Sequence, residues 1–349
     1  MALLFVDSFD HYSTSEFGRK YDGISGATIE TDDPRNGPQH CKMGASSHFL
    51  RKQFPNSDTW IIGVAIKLNG EVGGSQDHDL FSIIDHTVST INGTHLSFQV
   101  NFDNKFRVMR GSEISGELLA TSDNAFTLDD AWHYVEFQCV IHDSTGSFSA
   151  KFDGAEIAGL TQTSQETIFG SGNAFANGIR LNGIVASPAT KCFFDDFYIA
   201  NGDAPGVQAM LGDMKIDALF PRADGNYEEL TTSSGTDSFA LINELPPTTD
   251  DSTYIESNVV NEKSSFSMDE AGNFTIHGVQ HTVFVRKTDV NRRKMKHLTR
   301  VSGNDYKGDL VRMGSVYTMK TKMWETNPKN GSPWIASEVN GAEFGLEVI

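Results

Sequence analysis

The stretch WHYVEFQCVIHDSTGSFSAKFDG, residues 132–154, decides the fold. In its first arm Trp132, Tyr134, Glu136, Gln138 and Val140 point one way, and His133, Val135, Phe137, Cys139 and Ile141 point the other. The second set is almost wholly apolar, and a period of two belongs to a strand, not a helix. Asp143, Ser144, Thr145 and Gly146 then form a turn. Phe148, Ala150 and Phe152 resume the alternation until Asp153 and Gly154 turn the chain again. The stretch predicts a long β-hairpin with one buried face, and such a face needs a second sheet over it.

Working outward, strands are predicted at 3–8, 48–54, 59–68, 80–84, 95–101, 105–110, 132–141, 147–153 and 192–200, separated by turn signals such as INGT, FDNK and NGDAPG. TIETDDPRNGPQH (28–40), with two prolines and three acids beside a glycine, is predicted as a surface loop. Strands at this spacing without a helical period indicate an all-β sandwich or jelly roll. ANGDAPG (200–206) marks a domain boundary. A polar stretch at 227–257 lies within an extended, wrapping connection over 204–260, anchored by Phe239, Leu241, Ile242 and Tyr254. Strand patterns return at 273–278, 279–286, 306–313 and 316–324, giving a second, smaller β-rich domain over 261–349.

The chain has 349 residues, 24 of them Phe and 32 Gly, enough for real cores and many tight turns. Its net charge is −18, and residues 1–203 hold 26 acidic against 13 basic residues. Such a balance disfavours nucleic acid and anionic membrane as partners. Cys41, Cys139 and Cys192 are widely spaced and read as small buried thiols, without a disulfide framework. MALLFVDSF is read as a first strand and not as a signal peptide. No apolar run approaches the roughly 20 residues of a membrane span, so no membrane insertion is expected.

Three segments together resemble a family. The hairpin at 132–154, LFVDSFDHY (3–11) and CFFDDFYIANG (192–202) are similar to the back hairpin, opening strand and closing strand of laminin-G-like, concanavalin A-type jelly rolls. The resemblance spans residues 1–203. GDMKIDALFPRADG, STYIESNVVNEKSSF, VRKTDVNRRKMKHL and WETNPKNGSPWIASEVNGAEFGLEVI resemble, in that order, a C-terminal module of tailed-bacteriophage structural proteins. The combination implies a virion component made in the host cytoplasm: tail-associated, a fibre or a capsid-surface protein. It also implies other virion proteins as partners and a homo-oligomer, a trimer first and a dimer second.

The chemical candidates are few. Glycosidases of this fold carry two carboxylates closely spaced on one strand. Here Glu136 stands alone in its strand, and Asp195 and Asp196, being adjacent, are expected to point to opposite faces. Nucleophile-elbow, zincin and phosphate-loop motifs are absent. Asp77, His78, Asp79, Asp85 and His86 lack the spacing of a ligand set. The resemblance makes calcium the candidate cofactor, with Asp32, Asp33 and Asn36 as donors, although six or more oxygens are needed and a solvated acidic loop accounts for the same residues. Otherwise no cofactor is expected. The basic run over 286–300 includes Arg286, Lys287, Arg292, Arg293 and Lys294; it reads as a solvated hairpin loop or a subunit contact. Trp60 and Trp132 are expected to pack at strand starts. Trp324 and Trp334 bracket a turn-rich loop suited to a glycan-binding tip or an inter-subunit latch. The expectation is a non-enzymatic structural protein of a phage particle. The alternative is a carbohydrate-binding module for a host surface glycan.

Overall fold

The computed structural model of the protein describes residues 2–69, 77–87, 93–112, 116–184, 191–202, 209–235, 237–244 and 251–349. The turn signal INGT at 91–94, the boundary stretch 200–206 and part of the wrapping connection lie wholly or partly outside these residues. The chain divides into two compact units: residues 1–10 with 21–216, and residues 11–20 with 217–349.

The first unit is a sandwich of two antiparallel sheets. One sheet has nine strands. Its main path runs Ala155–Glu156, Gly146–Phe152, His133–Val140, Thr59–Asn69, Lys191–Asn201, His40–Met43 and Thr28–Glu30. Leu3–Asp7 also pairs with Lys191–Asn201, and Gln162–Gln165 with Gly146–Phe152. The other sheet has seven strands, in the order Glu117–Thr121, Phe106–Arg110, Thr94–Val100, His78–Ile84, Ala176–Asn182, Phe49–Ser57 and Gly23–Ser25.

The hairpin at 132–154 forms as its alternation requires, with Phe137 opposite Ala150 and Cys139 opposite Phe148. Its apolar face meets the second sheet. Phe81 and Phe98 stack at 5.0 Å on the seven-stranded sheet, and Phe137 lies 5.9 and 5.5 Å from them. Phe106 and Phe152 close one end of this seam at 5.4 Å, and Phe54 and Trp60 pack across it at 5.8 Å. Aromatic pairs at these separations add to the area they bury. The three thiols are free and buried.

Two features depart from the hairpin's sequence pattern. Tyr134 and Glu136, on the supposedly open face, are 1 % exposed. Residues 209–216 lie over them: the Gly212 amide donates to Glu136 Oε1 at 2.9 Å, and the Leu211 amide to the Tyr198 hydroxyl at 3.1 Å. The compact unit therefore ends at Ile216, beyond the boundary read at 203. Within 28–40, Thr28–Glu30 is a strand and His40 begins another, so only the middle of that stretch is loop.

The second unit is built on a five-stranded antiparallel sheet in the order Pro221–Glu228, Lys263–Met268, Glu343–Val348, Lys294–Val301 and Asn304–Arg312. A separate ribbon pairs Val279–Val285 with Thr318–Trp324. The expected strand at 273–278 does not form, and Pro221–Glu228 is a sheet strand instead of part of an extended connection. Its residues PRADGNYE lack apolar alternation because it is an edge strand and buries little. His281 of the ribbon packs edge-on against His297 and Phe344 at 4.9 and 5.5 Å. Residues 11–20 belong to this unit, where Arg19 donates to the Tyr317 carbonyl at 2.6 Å.

Phe137→Ala removes the side chain that bridges the two sheets. It should destabilise the first unit by about 3–5 kcal/mol in denaturant unfolding, whereas Leu118→Ala, on an exposed position, should change stability by about 0.5 kcal/mol or less.

Candidate functional site

The seven-stranded sheet places its apolar residues inward, and alternation sends their neighbours to the opposite face. Leu50, Phe81, Ile83, Leu96, Phe98, Ile179 and Leu181 are buried in the sandwich. Arg51, Arg180, Ser82 and Ser97 consequently share the outer face. They form one lateral row, because Arg51 pairs with Arg180, Arg180 with Ser82, and Ser82 with Ser97. A neighbouring row carries Phe49 opposite Asn182, and Asp79 opposite Gln99, which in turn faces Arg107. A bulge between Asp79 and Phe81 brings Asp79 to this face.

Hydrogen bonds tie the rows together. Asn182 donates to the Ser82 hydroxyl at 3.1 Å, the Ser82 and Ser97 hydroxyls lie 3.3 Å apart, and Gln99 donates to Asp79 at 2.7 Å. Arg107 is paired with Asp77. Arg180 lies over the Phe49 ring, 4.4 Å from its centroid. Among the described residues, Arg51 Nε, Arg107 Nε, His86 Nε2 and Gln99 Oε1 have no hydrogen-bond partner. The same holds for buried polar atoms elsewhere in both units, such as His40 Nδ1, Glu136 Oε2 and Ser264 Oγ.

Two glycines make room for this arrangement. A Cβ at Gly23 would lie 2.9 Å from the Arg51 guanidinium, and one at Gly178 would lie 2.4 Å from the His86 ring. Glycine at both positions lets Arg51 and His86 lie against the sheet surface. Burial, reinforced by the Arg51 charge, holds the His86 imidazole below its ordinary pKa and favours its neutral form.

The sequence candidates fall elsewhere. Asp33 accepts from Lys67 Nζ at 2.8 Å, and this hydrogen bond lowers its pKa. Asp32 is exposed, 3.9 Å from the buried His40. Asn36 instead faces Asp195, to which its amide donates at 3.3 Å. The three calcium candidates thus do not converge. Asp79, Asp85 and His86 also go to separate partners, with Asp85 accepting from Thr87 and Asn173. Among the described residues no cluster of three His, Cys, Asp or Glu side chains is arranged to hold a metal ion.

Asp195 and Asp196 do not point to opposite faces. The strand bulges between Asp195 and Tyr198, and Asp196 adopts a left-handed φ of 45°. Both carboxylates reach the loop at 35–36: Asp195 through the Asn36 amide and Asp196 through the Arg35 guanidinium. Asp10, bonded by the Gln39 amide at 3.0 Å, completes a buried acidic group. Burial pushes Asp195 up to about 9 and Asp10 up to about 7. It also raises Asp196, against the opposing charge of Arg35, and Glu136, against the hydrogen bond from Tyr198.

In the second unit the basic run is not one hairpin loop. Residues 286–293 cross from the ribbon to the five-stranded sheet, and Lys294 begins a sheet strand. Arg286 pairs with Asp251, Lys287 donates to the Asn291 carbonyl, and Arg293 pairs with Asp289 at 2.7 Å. Arg292 is exposed. Trp334 is not at a binding tip. It is 2 % exposed, packs with Val301, Val339, Ala342 and Phe344, and donates to the Trp324 carbonyl at 2.9 Å. Trp324 is half-buried against the same core, with Lys322 over its ring. The loop between the two tryptophans is closed by this packing, because an indole this large gains most by burial.

Sequence reasoning did not find Arg51, Arg180, Asn182 or Gln99. The strand carrying two of them, ANGIRLN (176–182), alternates only Ile179 and Leu181 against polar neighbours, a short signal that was present but weak.

The two facing sheets define the first unit as a concanavalin A-like jelly-roll sandwich. No protein-family model matches the chain, and no curated protein matches it. Among solved structures it is similar to an alginate lyase, Aly36B, with 11 % identity over 55 % of this chain and 92 % of that one and a TM-score of 0.41. It is also similar to the cellulose-induced protein Cip1, with 15 % identity over 56 % and 97 % and a TM-score of 0.39. A third is a mutant of the Emp46p carbohydrate recognition domain, with 11 % identity over 51 % and 89 % and a TM-score of 0.35. At these values the likenesses carry no argument about activity.

The raised carboxylates give a pH dependence of known sign. A buried acid whose folded pKa exceeds its ordinary value favours the folded state when protonated, so stability falls as pH rises between the two values. For Asp195 that window runs from 3.8 to about 9, and for Asp10 from 3.8 to about 7. Thermal melting of the first unit should therefore decline from pH 5 to pH 9. Asp195→Asn should flatten the decline; an unchanged slope in the variant would contradict the assignment.

Proposed function

We propose that the first unit is a glycan-binding module and that the chain is a non-enzymatic surface component of a bacteriophage particle. The glycan reading is carried by one observation: on the outer face of the seven-stranded sheet the half-buried Phe49 and Arg51 stand beside a hydrogen-bonded layer of buried serine, asparagine and glutamine side chains. Ser82, Ser97, Asn182 and Gln99 are 0–6 % exposed and hydrogen-bond among themselves and to Asp79, so in this reading they back the face and do not themselves meet the sugar. The carboxylates on or beside this face, Asp79 and Asp77, are engaged with Gln99 and Arg107. This favours binding over acid–base hydrolysis, which needs two carboxyl groups placed across one bond.

The particle setting rests on the sequence resemblance, and subunit contacts belong to the second unit in this reading. Its five-stranded sheet ends on Asn304–Arg312, which pairs on one side only among the described residues and carries the exposed Leu310. An edge of this kind is a ready surface for pairing with another chain. Arg292 is the exposed member of the basic run and would set register against an acidic partner surface.

Two outcomes follow. The purified chain should bind members of a glycan array, and Phe49→Ala with Arg51→Gln should weaken that binding about 5- to 10-fold; a chain that binds no glycan sinks the module reading. Sedimentation at micromolar concentration should show an oligomer, a trimer before a dimer, and a monomer that also ignores the other virion proteins sinks the assembly reading.

A further inference from the structure

We infer that two copies of this chain dock head to tail, the basic end of the second unit of one copy meeting the acidic end of the first unit of the other. The inference rests on the assembly reading and names the acidic surface that Arg292 meets.

In the second unit three segments are tied together at one end of the five-stranded sheet and the ribbon. The Lys287 amide donates to the Gly314 carbonyl at 2.8 Å, the Met313 amide to the Arg293 carbonyl at 3.1 Å, and Arg293 Nη1 to the Asn258 carbonyl at 3.3 Å. Segments 257–262, 286–294 and 312–316, so joined, hold six basic residues against two acidic ones, in a chain whose net charge is −18. Arg286 and Arg293 are offset by Asp251 and Asp289. Arg292 and Arg312 are exposed and meet no carboxylate among the described residues. The same end exposes Val259, Val260, Val290 and Val316, with Val290 97 % exposed. Uncovered aliphatic side chains ringed by charge mark a surface that another molecule covers.

One end of the sandwich in the first unit has the opposite sign. There the Phe126 amide donates to the Asn104 carbonyl at 2.8 Å, Lys105 Nζ donates to the Asp123 carbonyl at 2.9 Å, and the Phe126 and Phe152 rings pack at 4.8 Å. Segments 101–105, 122–131 and 151–156, joined in this way, hold six acidic residues against two basic ones. Asp103, Asp123, Asp129, Asp130, Asp153 and Glu156 are all exposed, and Phe102 stands 47 % exposed beside them. Asp129 and Asp153 also face His133. The two ends thus carry equal and opposite excesses of charge, each with uncovered apolar side chains. Copies of so acidic a chain repel over most of their surfaces, and a basic end meeting an acidic end is the approach that attraction favours. The apolar side chains then supply the area buried, and the charges fix the partner and the orientation. Because the two ends are different surfaces, the contact relates copies around a closed ring, or is made twice across a two-fold axis.

The test is sedimentation of the full chain at micromolar concentration, at low and at high salt. The unaltered chain should form an oligomer that weakens as salt rises, because exposed charges are screened. Arg292→Glu with Arg312→Glu, and separately Asp129→Lys with Asp130→Lys, should each raise the dissociation constant about 10- to 100-fold. The two variants, each defective alone, should pair with one another when mixed, since one keeps the acidic end and the other the basic end. All four positions are exposed, and melting curves establish that the variants are folded. An oligomer that both folded variants leave unchanged, or two defective variants that do not pair on mixing, overturns this inference and leaves the assembly reading standing. So does an oligomer that Leu310→Lys, at the edge of the sheet, dissociates while the charge reversals do not. An unaltered chain that stays monomeric overturns this inference, and the assembly reading falls with it when that monomer also ignores the other virion proteins.

Discussion

The packing of aromatic rings between two sheets is the constraint on which the rest of the first unit depends. Phe81 and Phe98 from one sheet and Phe137 from the other must meet, or neither sheet has a core. Strand alternation then leaves no choice about the opposite faces: the neighbours of inward residues go outward. Ser82 lies between Phe81 and Ile83, Ser97 between Leu96 and Phe98, and Arg180 between Ile179 and Leu181. The polar rows are therefore a direct consequence of how the core is filled. They stand on a rigid sheet, which places side chains more reproducibly than a loop does.

The two outer faces meet different fates. On the nine-stranded sheet, residues 209–216 cover Tyr134, Glu136 and Tyr198, and the loop at 35–36 lies over Asp195 and Asp196. The acids gathered there are buried, and burial raises their pKa values toward or beyond neutrality. On the seven-stranded sheet Arg51 and Arg180 are only half-buried. Asp10, Asp195 and Asp196 thus lie under cover on one side of the sandwich, while Arg51 and Arg180 are half-buried on the other.

Much of the sandwich was legible in the sequence, and the reasons for the exceptions are physical. Strands such as Thr59–Asn69 and His133–Val140 announce themselves by β-branched and aromatic residues. Ala176–Asn182 escaped notice because a glycine and polar outward residues leave only Ile179 and Leu181 as signal, although it lies between two other strands of its sheet. The candidate binding face was hidden for the same reason: its residues come from several strands whose order is set by pairing and not by sequence. The opposite orientation assigned to Asp195 and Asp196 assumed unbroken alternation, and the bulge at that point removes the assumption. Trp334 was judged by its turn-rich neighbours, whereas its packing against Val339 and Phe344 decides its place.

The account's central claim is that one face of one sheet receives a sugar chain. A crystal structure of the full chain with a bound oligosaccharide measures this most directly. The account predicts a sugar ring against Phe49 and sugar oxygens within hydrogen-bonding distance of Arg51, on the outer face of the seven-stranded sheet. An oligosaccharide seated on the nine-stranded sheet, or on the second unit, with Phe49 and Arg51 unvisited, would contradict it.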